Sequence, residues 1–402
     1  MAISTTERRR FAVRRLTLNN FRNYADLRIE PTSDMLVFTG ANGAGKTNLL
    51  EAVSLLVPGR GLRQQRLTDL ARQGQAGGGW AVAARVETPH GPCDVGTGLD
   101  PNEDDSGPAD DPIDGTTKGP NKGPGRRNIR IDGETARNQS ALAAVMSAHW
   151  LTPQMDRLFQ EGSSARRRFL DRMVYGWDPA HAGRVAAYEQ AMRQRMKLLR
   201  GDRAPDTTWV AALEETMASK GIAVTAARLD VVGRLATAAA EGWGPFPGAE
   251  IALSGDLENS LLGGPALAAE DRFRNALARS RADDARTGRT SEGPQRSDLL
   301  VRHRPKNQDA ELCSTGEQKA LLIGLVLANA RTRATEEGGV PVLLLDEVAA
   351  HLDEARREAL FEALQGLGGQ VWLTGTDAEL FQPLSGRAEF FIVADNGAER
   401  IR

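Results

Sequence analysis

Residues 40–47 read Gly40-Ala41-Asn42-Gly43-Ala44-Gly45-Lys46-Thr47, a glycine-rich segment that ends in lysine and threonine. The segment fits the pattern G-x-x-x-x-G-K-[ST] of a phosphate-binding loop. The apolar residues 35–39 before it predict a buried strand, and residues 48–53 after it predict the start of a helix. Backbone N–H groups of such a loop and the positive end of the helix dipole attract phosphate oxygens. The segment therefore predicts a nucleoside triphosphate site rather than an ordinary glycine turn.

The last two residues of this loop have separate expected roles. The Lys46 ammonium can reach the terminal phosphates, and the Thr47 hydroxyl can bind Mg²⁺. We therefore expect a nucleoside triphosphate and Mg²⁺ as cofactors.

The composition bounds the class of protein. The chain has 402 residues, enough for two or three domains, and 40% of them are apolar, which is adequate for a core. A net charge of -2 gives no overall basic field, so any nucleic-acid contact must be local. The two cysteines, Cys93 and Cys313, lie far apart, which excludes a disulfide framework and favours a reducing compartment. The start lacks a secretory signal, and the longest apolar stretch, residues 320–330, is too short to cross a bilayer. We expect a soluble, cytoplasmic protein without a membrane partner.

Hydrophobic periodicity predicts an α/β fold that is interrupted by a helical segment. Strand patterns occupy residues 11–18, 26–29, 35–39, 80–86, 128–133, 342–345, 371–373 and 390–393. From residue 164 onward, apolar stripes at helical spacing take over, as in Tyr188, Met192, Met196 and Leu199. The prediction is a head with a mixed sheet, built from residues 1–163 and 291–402, and a helical arm over residues 164–290. Residues 100–127 are charged and rich in Gly and Pro, which predicts a flexible loop.

A second motif supplies acidic residues to the predicted site. Four apolar residues, 342–345, are followed by Asp346 and Glu347, as in a strand buried on both faces that ends at a ligand. Asp346 is expected to hold Mg²⁺, directly or through water, and Glu347 to activate the attacking water as a general base.

A third motif precedes the predicted helix over residues 320–330. Ser314-Thr315-Gly316-Glu317-Gln318 resembles the L-S-x-G-x-Q signature of ABC-type ATPases, and residues 346–353 resemble their Walker B and D-loop elements. A serine hydroxyl and a glycine amide at a helix start form a second phosphate binder, so Ser314, Gly316 and Gln318 are expected nucleotide contacts. The alternative is a plain capped helix start. The resemblance to ABC-type ATPases implies that the triphosphate is ATP. In the ABC class, the signature of one subunit completes the site of another, which implies an ATP-dependent homodimer.

Taken together, the motifs resemble the RecF family of SMC-like ABC ATPases. The resemblance rests on residues 18–24, 40–50, 59–63, 164–171, 294–299, 314–318 and 345–357, which follow the family's order. It implies an ABC-type ATPase head with slow, DNA-dependent hydrolysis, an ATP-driven dimer, and binding of duplex DNA near single-stranded gaps. It also implies RecR and RecO as partners, a role in loading the RecA recombinase, and Arg22 as a nucleotide contact.

Some positions depart from the family pattern. Gln154 stands after Pro153 where an acid is usual, and we expect it to be a catalytic residue that senses Mg²⁺ and water. The D-loop residues 350–353 read Ala-His-Leu-Asp instead of Ser-Glu-Leu-Asp. Transporter-type ABC proteins carry a switch histidine after the strand that follows Walker B. The equivalent residues 371–377 contain no histidine, so Thr374 or Thr376 would have to sense the γ-phosphate.

A basic stretch begins the predicted arm and leaves three interpretations open. Its cations are Arg166, Arg167, Arg168, Arg172, Arg184, Arg193, Arg195, Lys197, Arg200 and Arg203. They could contact DNA phosphates or form a solvated helix face with interleaved acids, and the composition favours the solvated face. A third interpretation is that some of them hold the arm onto the head.

Other functions also fit a phosphate loop. The ATPase subunit of a membrane transporter and another SMC-like ATPase remain alternatives, although the missing switch histidine argues against the transporter. A nuclease with a Toprim domain is disfavoured, because the chain ends at Arg402, soon after the last predicted head strand. The non-catalytic alternative is an ATP-binding scaffold.

Overall fold

The computed structural model describes residues 10–72, 78–100, 127–201, 205–336, 339–394 and 396–401. The predicted flexible loop over residues 100–127 therefore lies almost entirely outside the described residues. The chain divides into two compact units. The first comprises Met1–Asp156, Gly242–Pro247 and Lys319–Arg402, and the second comprises Arg157–Glu241 and Gly248–Gln318.

The described residues form the following regular elements. The strands are β1 Ala12–Phe21, β2 Tyr24–Ile29, β3 Met35–Thr39, β4 Trp80–Thr88, β5 Gly91–Leu99, β6 Arg127–Ile131, β7 Glu134–Thr135, β8 Ala148–Leu151, β9 Ala249–Ser254, β10 Asp298–His303, β11 Gln308–Asp309, β12 Val342–Leu345, β13 Val371–Gly375, β14 Glu389–Ala394 and β15 Gly397–Arg400. The α-helices are α1 Lys46–Ser54, α2 Ser163–Trp177, α3 His181–Leu199, α4 Thr207–Glu241, α5 Asp256–Leu262, α6 Ala266–Thr287, α7 Thr315–Thr335 and α8 Glu354–Leu367.

A mixed sheet at the centre of the first unit positions the predicted site. Its strand order is β15-β14-β3-β13-β12-β8, with all neighbours parallel except the antiparallel pair of β14 and β15. Every residue of β3, β8, β12 and β13 is buried, as expected for strands covered on both faces. Leu345 pairs with both Leu151 and Leu373, so β8, β12 and β13 end at the same edge. Functional loops that follow these strands therefore meet there.

The second sheet of this unit is antiparallel, with the order β2-β1-β4-β5-β6-β7. Burial alternates along β4, which is the period expected when one face of a sheet packs on a core. Phe21 and Trp80 meet edge to face in that core, with ring centroids 5.7 Å apart. The strands predicted at residues 11–18, 26–29, 80–86 and 128–133 all lie in this sheet.

The second unit combines helices α2 to α6 with a small sheet of order β11-β10-β9. Its core contains apolar side chains from α3, α4 and α6, including Tyr188, Met217 and Phe273. Two buried charge clusters accompany them. Arg195 pairs with Glu214 and Asp284, and Arg228 pairs with Asp171.

The division of the chain differs from the predicted boundaries at 163/164 and 290/291. The second unit starts at Arg157 and continues through Gln318, because β10 pairs antiparallel with β9 and so keeps residues beyond 290 with the helices. Residues 314–318 of the predicted signature thus belong to the second unit, while Gly242–Pro247 belongs to the first. Within the described part of the chain, no helix is long and apolar enough to cross a membrane.

Candidate nucleotide site

The phosphate loop joins β3 to α1 and has two glycines whose positive φ is combined with no room for a Cβ. Gly40 has φ +152°, and a Cβ there would lie 2.3 Å from the Val393 carbonyl oxygen. Gly45 has φ +115°, and a Cβ there would lie 2.5 Å from Asn23 Nδ2. Only glycine combines this backbone conformation with so close an approach.

Two side chains bond to carbonyl oxygens of the loop, Asn23 from the turn between β1 and β2 and Tyr24 from the start of β2. Asn23 Nδ2 donates a hydrogen bond of 3.1 Å to the Ala44 carbonyl oxygen, and the Tyr24 hydroxyl donates one of 3.1 Å to the Gly45 carbonyl oxygen. Burial raises the pKa of Tyr24 well above its usual value, so the phenol remains a donor. The residues 18–24 were used above only as a family pattern, and their contact with the loop was missed.

The Lys46 side chain folds back over its own loop. Its Nζ donates to the carbonyl oxygens of Gly40 and Ala41, at 2.7 Å and 2.9 Å, and the residue is 4% exposed. Burial lowers the pKa of the Lys46 ammonium, and the negative charges of Glu347 and Asp346 oppose that shift. In this structure the Lys46 ammonium therefore bonds to its own loop.

Asp346 lies at the tip of β12, between two threonine hydroxyls. Thr47 Oγ1 lies 2.9 Å and 3.1 Å from its two carboxylate oxygens, and Thr374 Oγ1 lies 2.8 Å from Oδ1. Burial raises the pKa of Asp346, while the bonds from Thr374 and Thr47 oppose this shift. The structure thus brings together the loop residues Lys46 and Thr47 and the strand-tip residues Asp346 and Glu347.

The residues around Asp346 form an oxygen donor set that fits Mg²⁺. Mg²⁺ in phosphate sites is held through one or two carboxylates, and substrate phosphates and water complete its shell. Thr47 and Asp346 supply a hydroxyl and a carboxylate. No group of three or more His, Cys, Asp and Glu residues that could hold a metal occurs among the described residues. This set suits a cation that arrives with a nucleotide rather than one held by protein ligands alone.

Gln154 reaches the same edge of the sheet from β8. The Asp346 N–H donates a hydrogen bond of 2.9 Å to the Leu151 carbonyl oxygen, which ties the tip of β12 to the end of β8. Gln154 follows in the short 3₁₀ helix Pro153–Arg157, and its side chain is exposed. Its expected role toward Mg²⁺ and water stays a prediction.

A cleft of about 410 Å³ adjoins the loop and α1. Its lining includes Arg22, Asn23, Asn48, Asp69, Ala71, Arg63, Arg72 and Asn396. Arg22 is not free to move in it, because Nε and Nη2 bond to Glu51 and Nη1 donates to the Asp69 carbonyl oxygen at 2.9 Å. Arg63 shares Glu51 through Nη1 at 3.2 Å and also bonds to Asn48 at 2.6 Å. The expected contact of Arg22 with a nucleotide stays a prediction, and the part of Glu51 was not predicted from the sequence.

The predicted signature forms a capped helix start at α7. The Ser314 N–H and hydroxyl both lie 3.0 Å from Glu317 Oε2, and the Glu317 N–H lies 3.4 Å from Ser314 Oγ, which is a capping box. Gly316 has open space where a Cβ would stand. Gln318 is fully buried, and its amide donates to the carbonyl oxygens of Cys313 and Glu311. In this structure Gln318 therefore holds the segment that precedes α7, whereas Ser314 and Gly316 are exposed.

Comparisons with known proteins decide the family. The family model described as the RecF/RecN/SMC N terminal domain matches residues 12–394. A protein of Mesorhizobium japonicum named DNA replication and repair protein RecF is 50% identical over 387 residues, which cover 96% of each chain. A protein of the same name from Rhizobium etli is 48% identical over 383 residues, covering 95% of this chain and 96% of the relative. The chain belongs to the RecF family.

Solved structures agree with this family at the level of the fold. A structure titled as the recombination mediator protein RecF with ATP, in the RecFOR pathway, aligns with a TM-score of 0.80 and 20% identity over 100% of both chains. An Smc head domain with an extended coiled coil, from Pyrococcus furiosus, aligns with a TM-score of 0.54 and 14% identity, over 97% of this chain and 96% of that one. The predicted ABC-type ATPase head fold is therefore confirmed.

Arginines of the basic stretch in this RecF-family chain form ion pairs within the second unit. Arg195 is fully buried and bonds to Glu214, Asp284 and the Leu277 carbonyl oxygen. Arg166 pairs with Asp298 through two bonds of 2.7 Å and 2.8 Å. Lys197 and Arg200 are exposed, and Arg203 lies outside the described residues. None of the interpretations given above included burial among acids inside the second unit.

Proposed function

We propose that the protein is an ATP-dependent DNA-binding protein of recombinational repair and replication-fork maintenance. In this proposal ATP drives two copies together, the dimer binds duplex DNA near single-stranded gaps, and slow hydrolysis releases it. The observation that carries the proposal is the cluster of Lys46, Thr47, Asp346 and Glu347 at one sheet edge. Family membership supports the biological setting, because the relatives are named DNA replication and repair proteins. It does not favour the transporter alternative.

The nucleotide would be bound in two parts. Backbone N–H groups of residues 40–47 and the start of α1 would bind the phosphates, with the Lys46 ammonium moving from its own loop carbonyls to phosphate oxygens. The adjacent cleft, bordered by Arg22, would accept the base and ribose. Thr47, Asp346 and Gln154 would hold Mg²⁺, which when bound neutralises charge on the phosphates.

Hydrolysis would be the work of the acid next to the Mg²⁺ site. Glu347 is half-buried and follows Asp346 directly, so its carboxylate can accept a proton from a water molecule as that water attacks the γ-phosphorus. The bond between the γ-phosphorus and the β,γ-bridging oxygen then breaks, giving ADP and phosphate. Lys46 would stabilise charge on the transferred phosphoryl group.

A second copy of the chain would complete each site. Ser314 and Gly316 are exposed at the start of α7, where the helix dipole and the Gly316 amide favour an anion once the Ser314 hydroxyl turns from Glu317. By family resemblance, these groups would meet the γ-phosphate bound in the other copy. DNA, RecR and RecO would then be partners of the closed dimer, which would help to load the RecA recombinase.

Two substitutions test the nucleotide mechanism. Lys46→Ala should abolish binding of a fluorescent ATP analogue and all phosphate release. Glu347→Gln should keep nucleotide binding, lose at least about 100-fold in phosphate release, and remain dimeric with ATP in light scattering after gel filtration. Lys220→Ala, in α4 of the second unit, is the matched control and should behave as the unsubstituted protein. Unchanged phosphate release in Lys46→Ala would refute the proposed site.

DNA binding requires its own experiment. Binding to gapped, duplex and single-stranded DNA should be measured against salt concentration, with and without ATP. We expect ATP to strengthen binding to gapped duplex and the affinity to fall steeply with salt, as for phosphate contacts. Equal affinity with and without ATP would contradict the ATP switch while leaving the ATPase site intact.

A further inference from the structure

We propose that Thr374 is a positioning residue that holds Asp346 and Glu347 in one fixed arrangement, and that it does not sense the γ-phosphate. The inference rests on the proposed ATPase function and concerns a residue for which the sequence suggested a different role. Three observations carry it: the hydrogen bonds of its hydroxyl, its place in the sheet, and the backbone conformation of Glu347.

The Thr374 hydroxyl acts both as a hydrogen-bond donor and as an acceptor. It donates its one hydrogen to Asp346 Oδ1, at 2.8 Å, and accepts a bond of 3.0 Å from the Glu347 N–H. The residue is 1% exposed, so water does not compete for these bonds. A hydroxyl has a single hydrogen to donate, and here the Mg²⁺-site carboxylate already receives it.

The register of the central sheet places Thr374 beside the two acids. β13 lies between β3, which leads into the phosphate loop, and β12, which leads into Asp346. Thr374 pairs with Phe38 of β3, and its neighbour Leu373 pairs with Leu345 of β12. Thr374 therefore stands one residue beyond the last pair with β12, level with the strand tip that carries the acids.

The backbone of Glu347 shows what the second hydrogen bond accomplishes. Glu347 has φ +53°, the left-handed region that residues with a side chain rarely adopt. Such conformations persist where the surroundings hold them, and they concentrate at functional sites. The bond from the Glu347 N–H to Thr374 Oγ1 is a restraint of this kind, at the residue whose carboxylate is the proposed general base.

The two acids thus share one support, although their expected roles differ. Loss of the hydroxyl would release the carboxylate of Asp346 and the backbone of Glu347 together. Sensing of the γ-phosphate then falls to Thr376 among the two threonines considered from the sequence, since Thr376 is exposed.

The test compares Thr374→Val, which removes the hydroxyl but keeps the shape, with Thr374→Ser, which keeps the hydroxyl. We expect Thr374→Val to lower kcat for ATP hydrolysis about tenfold to 100-fold, because misplacement of a catalytic group has costs of this order. The affinity for a fluorescent ATP analogue should change less than about threefold, since the phosphate loop is intact. Thr374→Ser should retain most of the turnover.

Thr225→Val is the matched control. Thr225 is also fully buried, in α4 of the second unit, and its hydroxyl donates to the Gly221 carbonyl oxygen at 3.0 Å. This control measures the general cost of removing a buried threonine hydroxyl, and its kcat should stay near that of the unsubstituted protein. If Thr374→Val does not fold, Thr374→Ala removes the same hydroxyl with a smaller side chain.

A double substitution separates positioning from structural damage. Because Thr374 acts in part through Glu347, Thr374→Val should lower phosphate release by a smaller factor in a Glu347→Gln background than in the unsubstituted protein, and the remaining loss reports the support of Asp346. Full additivity, or a kcat unchanged in Thr374→Val, would overturn the inference. A large fall in nucleotide affinity with kcat preserved would instead assign Thr374 to the phosphate. Failure of the proposed function itself is distinguishable, because Lys46→Ala would then retain phosphate release.

Discussion

Glu51 accepts two hydrogen bonds of 2.8 Å from the Arg22 guanidinium, one from Nε and one from Nη2. The Glu51 side chain is fully buried, and Arg63 Nη1 contacts the same carboxylate at 3.2 Å. One buried acid therefore holds two arginines that line the cleft beside the phosphate loop. A charge in such a place is tolerated only when it is paired and hydrogen-bonded.

Substitution Glu51→Gln should therefore destabilise the protein and disturb the cleft. The change removes the charge that two partly exposed arginines share, and leaving such groups without their hydrogen-bond partner costs about 1–3 kcal/mol. We expect that loss in the free energy of unfolding, measured with urea, together with a weaker affinity for a fluorescent ATP analogue.

Glu30→Gln supplies the control for this prediction. Glu30 pairs with Arg28 where both side chains are more than half exposed, and such pairs contribute about 0–1 kcal/mol. Equal losses in Glu51→Gln and Glu30→Gln would show that the buried carboxylate has no special part.

Lys46 could be predicted as a site residue from the sequence, whereas Glu51 could not. Lys46 and Asp346 could be identified because a local motif and an apolar run mark the ends of buried strands, and parallel strands bring those ends to one edge. Glu51 sits within a helix without any local signal, and its partner Arg22 is 29 residues away. Asn23 and Asn396, which share a bond of 3.2 Å beside the loop, are 373 residues apart. Such contacts depend on how the sheets pack, which periodicity does not report.

The same reason explains the shifted domain boundary. Helical periodicity ends near residue 287, so the predicted arm stopped soon afterwards. The strand β10 pairs with β9, although α5 and α6 separate the two strands along the chain; Leu299, for example, pairs with Leu253. Strand patterns indicate that a strand exists, but they do not indicate its partner. The second unit therefore extends further along the chain than its helices do.

Gly40→Ala and Gly43→Ala should differ sharply in their effect on nucleotide binding. A Cβ at Gly40 would lie 2.3 Å from the backbone oxygen of Val393, which cannot move aside as a flexible side chain would. A Cβ at Gly43 would meet nothing within 4 Å, so only its φ of +83° is strained, at about 1–2 kcal/mol. We expect at least tenfold weaker binding of a fluorescent ATP analogue in Gly40→Ala, and a smaller loss in Gly43→Ala. The opposite order would mean that the loop rearranges around Val393.

Asp171→Asn should strongly destabilise the second unit. The Asp171 carboxylate contacts His181 Nε2 and the Nε and Nη2 atoms of Arg228, each at 2.8 Å. Despite burial, the charge of Arg228 and the bonds from His181 and Arg228 hold the pKa of Asp171 well below its usual value. Removal of this charge leaves the Arg228 guanidinium buried without its partner, at a cost of about 3–5 kcal/mol.

The pH dependence of that cost has a definite sign. A carboxylate with a lowered pKa in the folded state stabilises the protein fully above its unfolded pKa, about 3.9, and loses this contribution as the pH falls. The stability difference between the unsubstituted protein and Asp171→Asn should therefore be constant from about pH 8 to 5 and shrink below about pH 4. Asp230→Asn, which breaks an exposed pair with Arg234 on α4, should cost less than about 1 kcal/mol throughout. A difference that stays constant down to pH 3 would contradict the role of the ionised carboxylate.

Glu317→Gln should weaken the start of α7 in a manner that depends on pH and salt. The ion pair with Lys306 and the bonds from Ser314 lower the pKa of Glu317 to about 2. The lowered pKa means that the carboxylate stabilises the folded state above about pH 4.3, and that this contribution fades as the pH falls toward 2. Because the pair with Lys306 is exposed to solvent, added salt should also reduce it. The difference in Tm between the unsubstituted protein and Glu317→Gln should thus be largest near neutral pH at low salt.

Glu358→Gln, at an exposed position of α8, is the control and should show no such trend. If ATP-dependent dimerisation also weakens in Glu317→Gln but not in Glu358→Gln, the capping box that orients Ser314 contributes to the contact between copies. A Tm difference independent of both pH and salt would instead assign the effect of Glu317 to helix propensity alone.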